Sequence, residues 1–260
     1  ARGGGPDRLG EGGGDPMSDD GRHATDPGQQ RFQVPEPVSR PRKGLPRAAD
    51  LAIAALGLVL VSPILIAAAI AIKLSGLGPV LYKQRRVGKD GAIFELYKLR
   101  TMRLGADPVG VGTAVTADDP RVTRVGRFLR RHSLDELPNL INVLRGEMRI
   151  VGPRATLPAQ VELYTPRQRR RLDLRPGVTG WAQIHGRAGI PWEERIELDV
   201  WYVEHRSLWL DLKILARTPK ALLAGAGSVA ADPYAGSSPE SPLRQAAERE
   251  EPTARPGKDS

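Results

Sequence analysis

Cysteine is missing altogether from the 260 residues. That absence removes disulfides, thiolate nucleophiles and cysteine-based zinc sites together. Histidine occurs only four times, scattered along the chain, which argues against a histidine-built metal centre. Aromatic residues make up 5% of the chain against 40% hydrophobic in all. The core must therefore be largely aliphatic, and it suffices for one medium domain. Long apolar runs are equally scarce: there is one.

The two ends lack periodicity. Residues 1–44 open with "ARGGGPDRLGEGGGDP" and residues 225–260 are rich in Pro, Ser, Glu and Ala. Neither can bury enough surface to offset its ordering entropy, and both are expected to be disordered tails. The first 43 residues carry seven basic and seven acidic groups and residues 225–260 four and six, so the remainder holds about +11 of net charge against +9 for the whole chain. Such a field attracts nucleic acid, anionic lipid or phosphorylated substrates without choosing among them.

The single apolar run, Leu51 to Ile72, contains 22 uncharged residues, "LAIAALGLVLVSPILIAAAIAI". As a straight helix it would extend about 33 Å, enough for a hydrocarbon core of roughly 30 Å. Two details oppose a simple crossing. Ser62-Pro63 sits at its centre, where proline removes a backbone hydrogen bond and kinks the helix. Both flanks are basic: Arg40, Arg42, Lys43 and Arg47 before the run, Lys73, Lys83, Arg85 and Arg86 after it. Positive charge marks the cytoplasmic side, so the flanks favour a helix that bends at Pro63 and returns. A kinked spanning helix is the alternative.

Downstream, "PVLYKQRRVGKDGAIFELYKLRTM" alternates apolar and basic residues around Asp90-Gly91, a hairpin turn dipeptide. Lys83, Arg85, Lys98 and Arg100 then line one or both strand faces. In "DDPRVTRVGRFLRR", Val122, Val125, Phe128 and Leu129 have helical spacing. Leu137, Leu140, Ile141 and Leu144 predict a short amphipathic helix that ends near Gly146.

Just before it stand two adjacent carboxylates, Asp135 and Glu136. Ser133 and Glu136 have the spacing of a capping box, which would make the pair structural punctuation. Pro138 favours a helix start nearer Asp135, leaving both carboxylates at the positive end of the dipole. The chemical alternative is a carboxylate nucleophile with a neighbour that binds metal or handles protons, among arginines that stabilise phosphoryl oxygens. Near the end, "ELDVWYVEHRSLWLDLKILARTPKALL" interleaves Trp201, Tyr202, Trp209 and leucines with charges, as an interfacial or a core helix would.

Taken in order, the run with Ser62-Pro63, "YKQRRVGKDGAIFELYKLRTM", "DDPRVTRVGRFLRRHSLDELPNLINVLRGEM", "IVGPR" and "RPGVTGWAQIHGR" resemble the bacterial sugar transferase family of monotopic phosphoglycosyl transferases, from about Arg47 to Leu223. The resemblance implies transfer of a sugar 1-phosphate from a nucleotide sugar, by family habit a UDP-sugar, to polyprenyl phosphate, starting a cell-surface glycan such as an exopolysaccharide. It implies that Asp135 and Glu136 are the catalytic dyad, with Asp135 the covalent nucleophile, and that Mg²⁺ is the cofactor, held by the dyad. It places Arg130 and Arg154 near the active site, and Gln183, within "RPGVTGWAQ", near the nucleotide. Lys98 and Arg100 are expected to bind substrate phosphates. In "RQRRR", Arg167 to Arg171 are expected to face anionic headgroups.

The fold expected is α+β and helix-rich: a re-entrant helix-break-helix membrane hairpin (45–77) and a small cytoplasmic catalytic domain (78–224) with a β-hairpin and interfacial amphipathic helices. The location implied is the cytoplasmic face of the bacterial plasma (inner) membrane. Membrane lipids are the expected partners besides the two substrates. Nucleic acid is not expected, because a pI near 10.1 comes without a nucleic-acid motif. The sequence also departs from the family pattern. Ala155 stands where GPRP would place proline, so a rigid turn is expected to be lost. Arg149 replaces a small polar residue and His185 an asparagine.

Overall fold

The computed structural model describes residues 43–106, 119–185, 190–224 and 241–250. Most of both expected tails lies outside them. Within the second, however, a helix forms, α9 below.

Helix α1, Arg47–Leu74, contains the entire apolar run and keeps Pro63 inside one continuous element of 28 residues. Its geometry explains the Ser-Pro pair. Proline at 63 has no N–H for the carbonyl of Val59, and the Ser62 hydroxyl donates to that same oxygen at 2.8 Å. The group orphaned by proline is thus satisfied locally, as a helix out of water requires. Mid-helix side chains, including Leu56, Val59, Leu60, Ile64 and Ile66, are exposed.

Both ends of α1 pack on the same body. Near the start, Asp50 is fully buried; it accepts from the Ile150 amide at 3.1 Å and Arg149 Nε at 2.8 Å. Arg47 donates to the carbonyls of Met148 and Val143, and Ala54 joins the main aliphatic core with Val143, Ile150 and Ile214. Toward the other end, Ala68 and Ile72 share a separate cluster with Leu99 and Leu129. The central part of α1 is left exposed between the two attachments.

Strands β1 (Leu81–Val87) and β2 (Ile93–Leu99) form the expected antiparallel hairpin. Its turn places Asp90 at φ 55° and Gly91 at φ 74°, the left-handed region that Asp and Gly tolerate. With the period-two alternation of strands, Tyr82, Gln84, Arg86 and Lys98 line one cavity, while Lys83 pairs with Glu95 outside. Helix α2, Arg124–Arg131, is capped by Thr123, whose side chain accepts from the Gly126 amide. The expected stripe is only half present. Leu129 is buried and Phe128 exposed, while Val122 precedes the helix and bridges to Met102.

The dyad is not in the first turn of the α-helix that follows it. Residues Leu134–Glu136 form a 3-10 turn, and Ser133, at φ 56°, makes no side-chain cap. Helix α3, Asn139–Leu144, starts after Pro138, so the capping-box reading is corrected. What holds α3 is Asn142, fully buried. Its carbonyl oxygen accepts from the Tyr97 amide at 3.0 Å, and its amide donates to the Glu95 carbonyl and Glu147 Oε2, each at 2.6 Å.

Strand β3 (Arg149–Val151), helices α4 (Pro158–Glu162) and α5 (Pro166–Arg169), and strand β4 (Gly177–Thr179) follow, with β3 and β4 parallel. The two strands touch through glycine: a Cβ on Gly177 would lie 2.1 Å from Gly152 N. Helices α6 (Trp181–Ile184), α7 (Trp192–His205), α8 (Leu208–Ala224) and α9 (Pro242–Glu250) complete the described chain. Asp211 on α8 is buried and accepts from the Leu45 amide at 2.7 Å and the Tyr202 hydroxyl at 2.6 Å, fixing the approach to α1.

Asn142→Ala removes one buried and two part-buried hydrogen bonds; it should lower unfolding free energy by about 3 kcal/mol. Denaturant titration of the purified protein checks this, and a loss under about 1 kcal/mol would show that α3 is held by packing instead.

Candidate active site

The hairpin, the 3-10 turn and the β3 end converge on one cavity of about 780 Å³. Asp135 and Glu136 sit in its wall with Lys98, Arg130 and Arg154. Lys98 Nζ and Arg154 Nη2 each reach the same oxygen, Glu136 Oε1, at 2.8 Å. Glu136 is thus gripped at once from β2 and from the segment after β3. Burial alone raises its carboxyl, but Arg154 and Lys98 outweigh burial and hold it well below its ordinary value of 4.5.

Asp135 has the opposite environment. It is 9% exposed, and among the described residues it forms no ion pair. Burial, reinforced by the Glu136 charge, pushes its carboxyl above the ordinary 3.8, against the pull of Lys98 and Arg130. Adjacent carboxylates therefore differ in kind. One is a clamped, weakly basic anion; the other is desolvated, more basic and open to the cavity.

Arg154 is itself held. Its amide donates to Asp199 Oδ2 at 3.2 Å and its carbonyl accepts from Arg171 Nη2 at 3.0 Å. Arg171 and Asp199 form a buried ion pair, and Arg171 also donates to the Tyr164 hydroxyl at 2.6 Å. Arg171 consequently does not face headgroups, contrary to the expectation for "RQRRR". Arg170 pairs with Glu204 at 2.9 Å and Arg167 with Glu197 at 2.9 Å. Sequence reasoning missed Asp199 because its partner lies 28 positions away.

The other expected site residues divide. Arg130 donates to the Thr101 hydroxyl at 2.8 Å, and burial lowers its guanidinium, with the Asp135 charge working against that. Gln183 lines the cavity, buried, with neither amide atom hydrogen-bonded, as a group awaiting a ligand would be. Arg100 is not on the carboxylates. Its guanidinium donates to the carbonyls of Leu77 (2.7 Å), Gly76 (3.0 Å) and Ile72 (3.3 Å), closing the end of α1. Arg86, unassigned by sequence, lines the cavity too; burial, with Arg154 nearby, lowers it to about 10.

A metal could be held here only sparsely. No group of three or more His, Cys, Asp or Glu converges among the described residues. That fits Mg²⁺, which commonly takes one or two carboxylates and completes its shell with water and substrate phosphate. Both cations fall on Glu136 Oε1, so Asp135 and the second Glu136 oxygen are the donors that would hold it.

The unlike dyad predicts unlike mutants. A raised carboxyl opposes folding as pH rises through its titration, whereas a depressed one supports folding above its unfolded value and loses that support as pH falls. Without divalent metal near pH 7, Asp135→Asn should therefore melt higher than the parent. Glu136→Gln should melt lower, by about 2 kcal/mol, the scale of a charged hydrogen bond. Calorimetry decides: shifts of the same sign for both mutants contradict the assigned electrostatics.

Comparisons with known proteins supply the family. A family model described as bacterial sugar transferase matches residues 42–225. The chain is 45% identical over 183 residues to the sugar transferase EpsL of Bacillus subtilis, covering 70% of this chain and 89% of that protein. It is 46% identical over 200 residues to a UDP-glucose:undecaprenyl-phosphate glucose-1-phosphate transferase of Caulobacter vibrioides, covering 71% and 74%. Against the Escherichia coli protein of the same name it is 45% identical over 192 residues, covering 70% of this chain and 41% of the longer relative. With a matched region that contains α1, the dyad and every element around the cavity, this chain belongs to the bacterial sugar transferase family of enzymes.

Proposed function

We propose that the chain transfers a sugar 1-phosphate from a UDP-sugar to polyprenyl phosphate through a covalent aspartyl intermediate, initiating exopolysaccharide or another cell-surface glycan at the cytoplasmic face of the plasma membrane. The observation that carries this reading is the cavity itself. Its lining combines the cations Arg86, Lys98, Arg130 and Arg154 with the aliphatic side chains of Ile53, Leu137, Leu140, Leu215 and Leu222, Ile53 coming from α1. A phosphorylated soluble donor suits the cations and an isoprenoid phosphate the aliphatic lining, and the dyad lines the same cavity. Two relatives carry UDP-glucose and undecaprenyl phosphate in their names.

The electrostatics assign the roles. Asp135, the more basic and unpaired carboxylate, is the better nucleophile; Glu136 is spent on holding Lys98 and Arg154 in place. An Asp135 oxygen attacks the phosphorus that bears the sugar, forming an acyl phosphate as the bridging P–O bond breaks and nucleoside monophosphate leaves with its electron pair. A polyprenyl phosphate oxygen then attacks that phosphorus, the aspartyl–phosphorus bond breaks, and the carboxylate is regenerated. Arg154, Lys98 and Arg86 are placed to take the phosphoryl oxygens by charge-assisted hydrogen bonds. When bound, Mg²⁺ would supply neutralisation of diphosphate charge at the dyad.

Re-entrance of α1 is part of the proposal. At about 1.5 Å per residue the 28-residue helix is about 42 Å long, yet Asp50 and Ile72 both attach to one body. Ser62 and Pro63 are the proposed break. Exposed Trp209, Leu208 and Leu212 on α8, with half-exposed Trp201 on α7, suit an interfacial seat.

Two measurements test these statements. Purified protein with Mg²⁺, undecaprenyl phosphate and a panel of nucleotide sugars should release nucleoside monophosphate with ping-pong kinetics. Asp135→Asn should reduce this at least about 10³-fold. Substantial turnover in that mutant, or no trappable sugar-phosphate adduct on Asp135, refutes the covalent route. For topology, the cysteine-free chain permits single-cysteine labelling: Lys43→Cys and Lys89→Cys should both react from the cytoplasmic side of sealed vesicles. Labelling from opposite sides defeats re-entrance.

A further inference from the structure

Glu136 is gripped by two cations, one on β2 and one just after β3, and each of these strands is tied to a different end of α1. Lys98 belongs to β2. Two residues on, Arg100 leaves the strand and bonds the carbonyls of Ile72, Gly76 and Leu77 at the end of α1, while its own amide donates to the Val80 carbonyl at 2.8 Å. Arg154 follows β3. At the start of that strand, Arg149 and Ile150 are bonded by the buried carboxylate of Asp50, from the first turn of α1.

The segments between are short and braced. From Ile150 to Arg154 the chain is held by Gly152 N to Thr179 O at 3.0 Å, Gly177 N to Pro153 O at 2.8 Å and the Asp199 bond to Arg154 N. From Arg100 to Lys98 there is one intervening strand residue, Leu99, which is buried against Ala68 and Ile72 of α1. A shift at either end of the helix has little slack to absorb it before the corresponding cation moves.

Resting on the reading of the dyad as the reacting site, we infer that Asp50 and Arg100 are positioning residues. Each seats one end of the membrane helix against the strand that delivers one of the two cations on Glu136. Arg100, expected from sequence to bind phosphate, works instead on backbone carbonyls. Asp50 works through Arg149, the residue that departs from the family pattern. The geometry of the clamp is in this way set by how the membrane helix is seated, and both ends must be seated for Glu136 to be held from both sides.

Double-mutant cycles distinguish this from a general contribution to stability, because residues that act through one another are not additive. The readout is nucleoside monophosphate release by the full chain in nanodiscs, per folded protein, with kcat and donor KM separated. Arg100→Ala should lower kcat about tenfold with KM within about twofold, yet cost less than about twofold more in a Lys98→Ala background. Asp50→Asn should behave likewise against Arg154→Ala. The crossed pairs, Arg100→Ala with Arg154→Ala and Asp50→Asn with Lys98→Ala, should multiply. Arg100→Lys should restore part of kcat. If Asp50→Asn does not fold, Arg149→Lys takes its place in the cycle. Penalties that multiply in every background, or that vanish per folded protein, overturn the inference. A parent enzyme that releases no nucleoside monophosphate from any nucleotide sugar would instead strike the functional reading on which it rests.

Discussion

The structure is governed by one constraint: a helix with a long apolar middle, α1, attaches near both of its ends to the same body. Each end solves this with polar groups that a helix lost in lipid could not satisfy. At the first, Asp50 would be prohibitively costly to bury alone, and becomes tolerable only because Arg149 and the Ile150 amide meet it. At the second, Arg100 donates to the Ile72 carbonyl in the last turn and to the carbonyls of Gly76 and Leu77 just beyond it. Between them no such attachment is needed. Ser62 closes the one backbone group that Pro63 orphans.

The same constraint places the chemistry. Because β2 and β3 are the elements that receive the helix ends, Lys98 on β2 and Arg154 just after β3 are brought together, and the two cations converge on Glu136. That leaves Asp135 without an ion pair in a buried wall. Its basicity comes from burial first and from the Glu136 charge beside it, which together outweigh the pull of Lys98 and Arg130; both hydrogen bonds from Lys98 and Arg154 go to Glu136. The cavity lining joins aliphatic side chains, one of them Ile53 of α1, to arginines, the combination that the proposed lipid and soluble reactants call for.

Much of this was legible in the sequence where the signal is local. Asp90-Gly91 specified the hairpin because only a few residues tolerate positive φ, and the apolar run with its basic flanks specified α1. The capping box failed because spacing alone does not fix backbone conformation: Ser133 adopts a left-handed conformation and ends α2's exit instead of opening α3. Long-range pairings were invisible. Asn142 has the composition of a surface amide yet pins α3 to β2, Asp199 finds Arg171 28 positions away, and Arg100 is indistinguishable by type from a phosphate ligand. The dyad itself emerged only from several motifs read together, since two adjacent carboxylates before a short helix have a structural use as well.

The replacement of proline by Ala155 shows how such distant pairings carry local order. A proline there would restrict the chain after Arg154 through its ring. Here the restriction is external. The Arg154 amide is bonded by Asp199 and its carbonyl by Arg171, the Ala155 carbonyl accepts from Arg86 Nη1 at 3.2 Å, and the Thr156 carbonyl accepts from the Val87 amide at 2.9 Å. Four hydrogen bonds from three elements thus fix the three residues in which a proline would have fixed one dihedral. The turn expected to be loosened is held, and it is held by β1 and by the Arg171–Asp199 pair, so the position of Arg154 depends on side chains far from it in sequence. This makes the clamp on Glu136 a property of the assembled domain, with the IVGPR segment as its local carrier and not its cause.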